Sequence, residues 1–169
     1  MAEIKRKTKK KSQGAFLRDS IMTGISYMIP VIVGAGVIQA IAKAMGGYDI
    51  ANHMEEIDTL AKAIMLLGQN MMNFVVPVIA AFIAYAMADK PGLAPGFVMG
   101  ALAGAINTGF VGGLVGGIMV GYFILALKKI KVPKSLQGVM PILIIPVVTT
   151  LVCGLLMYYV VGVPIRLFM

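Results

Sequence analysis

Apolar residues in this chain do not alternate with polar ones. They run in four long blocks, 20–42, 63–88, 91–127 and 135–165, and no block contains an Asp, Glu, Lys or Arg. A helix of about 20 apolar residues crosses the hydrocarbon core of a bilayer, so each block predicts at least one membrane-spanning helix. Blocks 20–42 and 63–88 are each one helix long. Block 91–127 has 37 uncharged residues, too many for one crossing and right for two of roughly 18. Its centre reads Asn107-Thr108-Gly109, a turn tripeptide, so the block predicts a helical hairpin. The last block predicts one crossing near 142–162, after an interfacial lead-in over 132–138. The expected fold is an all-α integral membrane protein with five transmembrane helices.

Charge sets the expected orientation. Lys5, Arg6, Lys7, Lys9, Lys10, Lys11 and Arg18 precede the first block. Basic tails also bind nucleic acid, but ahead of a transmembrane helix they fix orientation, so no nucleic-acid partner is expected. Residues 43–62 carry Lys43 and Lys62 against Asp49, Glu55, Glu56 and Asp58. Lys128, Lys129, Lys131 and Lys134 follow the third block. Positive charge stays in the cytoplasm, so the tail and the 128–134 loop belong inside and the 43–62 loop outside. A hairpin over 91–127 satisfies this assignment; a single crossing would put four lysines outside. The chain is thus expected to start inside and end outside. Tyr27, Tyr85 and Tyr122 fall towards the inner interface, and Tyr48, Tyr158 and Tyr159 towards the outer, where amphipathic rings are favoured.

Composition supports the membrane reading and narrows the chemistry. The chain is 59% hydrophobic with a mean hydropathy of +0.91 and a net charge of +8, too apolar for a soluble domain. The first apolar block is too long for a signal peptide. Cys153, the single cysteine, lies in mid-span and is read as an inert thiol. The lone His53 sits in a polar loop, with no second histidine or cysteine to form a metal site. No span holds a nucleophile–base pair, paired carboxylates or a metal constellation, so no catalytic residue and no cofactor is expected.

Small and polar residues within the blocks carry the remaining information. Gly96, Gly100 and Gly104 recur at spacing four, as do Gly109, Gly113, Gly117 and Gly121, with Gly112 and Gly116 beside them. Residues four apart share a helix face, and a glycine stripe admits a second helix closely. The stripe reads equally as a subunit interface or sliding surface, or as packing within the chain. Pro30, Pro77 and Pro146 predict kinks, because each withholds an amide from the carbonyl four residues earlier, those of Ser26, Asn73 and Ile142. Gln69, Asn70 and Asn73 are the polar residues of the second span. Asn70 and Asn73 share a face, suited to cross-helix hydrogen bonds or to contact with sugar hydroxyls. Asn52 and Glu55 have capping-box spacing ahead of that span.

Three stretches look like one family. They are Met22-Thr23-Gly24-Ile25-Ser26-Tyr27-Met28-Ile29-Pro30; Ala84-Tyr85-Ala86-Met87-Ala88-Asp89-Lys90-Pro91-Gly92-Leu93-Ala94-Pro95-Gly96; and the run from Leu127-Lys128-Lys129 to Ile144-Ile145-Pro146. Together they resemble the membrane component, enzyme IIC, of the bacterial fructose-specific phosphotransferase system (PTS). The resemblance implies a permease in the bacterial cytoplasmic (inner) membrane. Sugar would cross IIC and be phosphorylated by a cytoplasmic IIB domain, with phosphate drawn from phosphoenolpyruvate. It further implies a homodimer, a fructose-type substrate, and a loop at Lys128, Lys129, Lys131 and Lys134 that could face IIB. A family IIC is about twice this length, and its acidic sugar-binding motif, similar to Ile-Thr-Glu-Gly-Ala-Ile-Pro-Phe, does not occur here. The expectation is therefore a basic tail (1–18), a membrane domain resembling the amino-terminal half of IIC (19–165) and a short tail (166–169). Such a truncated or split subunit would need a carboxyl-terminal IIC half to complete the sugar site. Two alternatives stand beside it: a non-transporting membrane scaffold or dimerisation fragment, and an independent small oligomeric channel.

Overall fold

The structure, a computed structural model, describes residues 12–53, 60–130, 137–161, 163–164 and 167. The basic residues from Lys5 to Lys11, Glu55 of the capping box, Glu56, Asp58, Lys131, Lys134 and Arg166 lie outside the described residues. Among the described residues there is helix and no strand. Helix α1 spans Gln13–Gly46, α2 Leu60–Asn73, α3 Val75–Ala88, α4 Leu93–Ala105, α5 Gly109–Leu127 and α6 Ile145–Leu156.

Helix α1 is longer than its apolar block. Ser12 caps it, its hydroxyl accepting from the Ala15 N–H at 3.3 Å, so helix begins inside the segment expected to be tail. Pro30 lies within α1, which continues through it. Helices α2 and α3 form one run interrupted at Phe74. Its N–H bonds back only three residues, to Met71 O at 3.1 Å. Pro77 falls in the first turn of α3, where a missing amide is tolerated. The α1 and α2–α3 runs lie antiparallel. Tyr27 stacks on Phe82 with centroids 3.9 Å apart, and further along Gly34 faces Met71 and Gly68 faces Gln39.

Helix α3 is the centre of the bundle. Ile79, Ala80, Ala81, Ile83 and Ala84 are fully buried, because α1, α4 and α5 all pack on it. The contacts fix the directions. Gly96 meets Ala81 and Gly100 meets Pro77, so α4 runs antiparallel to α3. Gly113 meets Val76 and Gly117 meets Ala80, so α5 runs parallel to it. The α4–α5 connection turns at the expected tripeptide. Asn107 and Gly109 both take positive φ, 56° and 53°, a conformation tolerated best by those two residue types. Buried Thr108 closes the turn, its Oγ1 donating to Ala103 O at 3.1 Å.

The two arms are unequal. Helix α5 has 19 residues and α4 has 13, or about 20 Å for α4 at 1.5 Å per residue. The 3₁₀ turn Lys90–Gly92 adds about 6 Å to that arm. Four helical runs are long and apolar enough to cross a membrane: Gln13–Gly46, Leu60–Ala88, Gly109–Leu127 and Met140–Val160.

The last of these opens with a π turn, Met140–Ile144, and closes with another, Met157–Val161. Pro146 stands at the start of α6, directly after the first. A proline ring clashes with the carbonyl four residues back; widening the turn moves the bonding to five residues, as in Ile145 N–H to Met140 O. Cys153 of α6 and Met157 of the second π turn close a buried cluster with Met99 of α4, Val120 and Ile124 of α5, and Ala84 and Ala88 of α3. By contrast α1 leaves Ile29, Val33, Val37 and Ile41 exposed along one face, and α6 leaves Val147, Leu151 and Leu155. These faces are as apolar as lipid tails and would meet acyl chains.

Candidate functional site

Among the described residues, polar groups border a cavity at two places. The first is a notch at the α2–α3 break. Asn70 and Asn73 stand on one face of α2, and a cavity of about 490 Å³ opens between them, Phe74 and Pro77 on one side and Ala101, Gly104 and Ala105 of α4 on the other. The break makes the notch polar in its backbone as well, because Pro77 has no N–H to offer the Asn73 carbonyl. Asn70 Nδ2 donates to Leu66 O at 2.9 Å, and its side-chain carbonyl keeps its acceptor capacity. Both asparagines are exposed. Small residues on α4 keep the notch open; nothing lies within 4 Å of a Cβ placed at Gly104. Amides at the depth of an apolar span are costly unless they meet a polar partner. The third polar residue of this helix, Gln69, is half-buried.

The second place is the end of the bundle where α3 and α5 finish. Lys128 Nζ donates to Ala88 O at 2.6 Å, across 40 residues of sequence. An ammonium there satisfies one of the orphan carbonyls at a helix C-terminus. This bond puts the two ends of block 91–127 side by side. Asp89, at φ 66°, accepts from Lys90 N at 2.9 Å and starts the turn into α4. Lys129 lies next to Lys128 and is exposed.

The glycines divide by partner. Gly96 and Gly100 lie against the α3 backbone, where an added Cβ would come 2.9 Å from Ala80 O and 2.6 Å from Val76 O. Gly113, Gly117 and Gly121 lie against Val76, Ala80 and Met87 of the same helix. Gly112 and Gly116 face Ala103 and Met99 of α4. Gly109 is in the turn and Gly104 is exposed at the notch. Apart from Gly104 and Gly109, the stripes on α4 and α5 are thus occupied by helices of this chain.

Two contacts were not anticipated. Gln39 Nε2 donates to Gly68 O at 3.2 Å, tying α1 to α2. A long amide alone in an otherwise apolar span was the available signal. The Lys128–Ala88 bond had a fainter one: charges at both ends of a block read as a hairpin. His53 pairs with Asp49 Oδ2 at 3.0 Å on the exposed surface. Among the described residues no three His, Cys, Asp or Glu side chains converge on a metal-sized site.

A helical bundle with four spanning-length runs, lipid-like outer faces and, among the described residues, no charge in the middle of a run is a multi-pass membrane protein. The chain belongs to the EIIC family of the phosphotransferase system: residues 22–169 match the family described as "Phosphotransferase system, EIIC". It is 50% identical over 147 residues to the fructose-specific EIIB'BC component of Xanthomonas campestris, covering 86% of this chain and 25% of that protein. It is 40% identical over 152 residues to the fructose-specific EIIABC component of Bacillus subtilis, covering 88% and 24%. With the fructose-like permease IIC component 2 of Escherichia coli the identity is 35% over 148 residues, covering 88% and 41%. The chain thus spans about a quarter of the fused relatives and under half of the IIC component. No solved structure matches it.

Proposed function

We propose that this chain is the membrane part of a phosphoenolpyruvate-dependent permease for a fructose-type sugar, seated in the bacterial cytoplasmic membrane. The match to the EIIC family over residues 22–169 carries the reading, and relatives named fructose-specific at 40–50% identity support the sugar class. Further IIC sequence, in the same polypeptide or a second one, supplies the rest of the sugar site. A cytoplasmic IIB domain, joined to EIIC in the relatives named EIIB'BC and EIIABC, phosphorylates the sugar at the inner face. The permease works as a homodimer.

The topology that fits is five crossings, with α4 and its 3₁₀ turn as the short fourth arm, the amino terminus inside and the carboxyl terminus outside. Lys128, Lys129, Lys131 and Lys134 then face the cytoplasm and IIB. Asn70 and Asn73 supply amides at the edge of the sugar path, where donors and acceptors recognise hydroxyls.

A chimera tests this reading. Residues of this chain replace the matching segment of the Bacillus subtilis fructose EIIABC component, in cells lacking their own fructose permease. Phosphoenolpyruvate-dependent fructose uptake should be retained, and Asn73→Leu in the chimera should lower it roughly tenfold, through loss of a hydrogen bond to the sugar and an unpaired polar partner. A chimera that inserts and assembles yet takes up no fructose contradicts the assignment; unchanged uptake by Asn73→Leu removes the notch from the sugar path.

A further inference from the structure

We propose that the bundle end formed by α4, α5 and α6 holds an anionic glycerophospholipid. A cavity of about 580 Å³ opens there, lined by Lys90, Leu93, Ala94, Lys128, Pro141 and Ile142 among others. A second, of about 510 Å³, adjoins it through Lys128 and Pro141 and adds Lys129. Lys90 and Lys128 line the first cavity and Lys128 and Lys129 the second, against one lining carboxylate among the described residues, that of Asp89, whose Oδ1 accepts from Lys90 N at 2.9 Å. Lys128 spends one of its three donors on Ala88 O. That bond anchors the ammonium at the cavity wall with two donors left.

Below the charged mouth the groove turns apolar. Pro146, which lines the first cavity, also lines a furrow of about 400 Å³ along α6, with Val147, Thr150 and Leu151. Thr150 presents no free hydroxyl proton to it, since Oγ1 donates to Pro146 O at 2.7 Å. Val147 and Leu151 belong to the exposed apolar face of α6. The order, cations at the helix ends and then an apolar furrow on the first turns of α6, matches a phosphate head joined to an acyl chain. Basic pockets between transmembrane helices recognise such heads. A soluble anion would use the mouth alone, and a docking protein would leave the furrow empty.

The test is native mass spectrometry of the full chain released from nanodiscs containing equal phosphatidylglycerol and phosphatidylcholine. Phosphatidylglycerol should be retained preferentially. The triple variant K90Q/K128Q/K129Q should lose it by at least roughly fivefold, while K43Q/K62Q, at the opposite end of the bundle, keeps it and K90R/K128R/K129R restores it. Should loss of the Lys128 tether unfold the protein, K90Q/K129Q reads the same loss on a folded chain. Equal retention of the two lipids, equal loss in both glutamine variants, or full displacement by soluble glycerol 3-phosphate would overturn the proposal. A triple variant that keeps its phosphatidylglycerol but no longer associates with a IIB domain would assign the lysines to a protein partner instead.

Discussion

At Gly100 an added methyl group would stand 2.6 Å from Val76 O, against backbone that cannot rotate away. At Gly104, one turn on, it would meet nothing within 4 Å. The two positions share a spacing and a helix face, and only their surroundings separate them. Gly100→Ala should therefore destabilise the bundle by about 1–3 kcal/mol, the usual cost of overpacking a filled site. Gly104→Ala should be neutral or stabilising by up to about 1 kcal/mol, since alanine is the better helix former. Thermal melts in detergent, followed by size-exclusion fluorescence, measure both; equal effects would contradict the packing described. At this scale the sequence was informative about where small residues cluster and silent about which of them touch anything. Asn107 and Gly109 were legible because a tight turn needs positive φ there. The bond from Gln39 to Gly68 O was not, because it depends on the register of α1 against α2, which no local pattern records.

Among the elements, α3 is the one that holds the others. It buries residues on every side, and the glycines of α4 and α5 let those helices approach its backbone. Close approach matters in lipid, where dispersion and small-residue contacts replace the hydrophobic effect as the source of helix association. Gly113→Leu combined with Gly117→Leu should push α5 off α3 at Val76 and Ala80. The expected outcome is loss of a monodisperse, folded species; unchanged elution and melting temperature would contradict it. The glycine stripe was visible in the sequence, but its partner was not, since spacing describes one helix and not its neighbour. The prolines fall in three different settings that their positions in the sequence did not distinguish. Pro30 lies in a continuous helix, Pro77 follows a break at Phe74, and Pro146 follows a π turn. The difference lies in where each falls relative to a helix start.

For the whole molecule, length alone misjudged how the third apolar block divides. Division of block 91–127 into two arms of roughly 18 residues followed from its length, whereas the arms have 13 and 19 residues. What survives the unequal division is that both ends of the block meet. Asp89 and Lys128 sit together because Lys128 reaches the Ala88 carbonyl. That closure gathers Lys90, Lys128 and Lys129 at one end of the bundle, the end proposed to meet IIB. Sided labelling tests it most directly. With Cys153 replaced by Ser, single cysteines at Tyr48, Lys90 and Ile130 are probed in oriented vesicles with an impermeant maleimide. Positions 90 and 130 should react from the same face, and position 48 from the opposite one. Reaction of 90 and 130 from opposite faces would contradict the hairpin and the functional reading built on it.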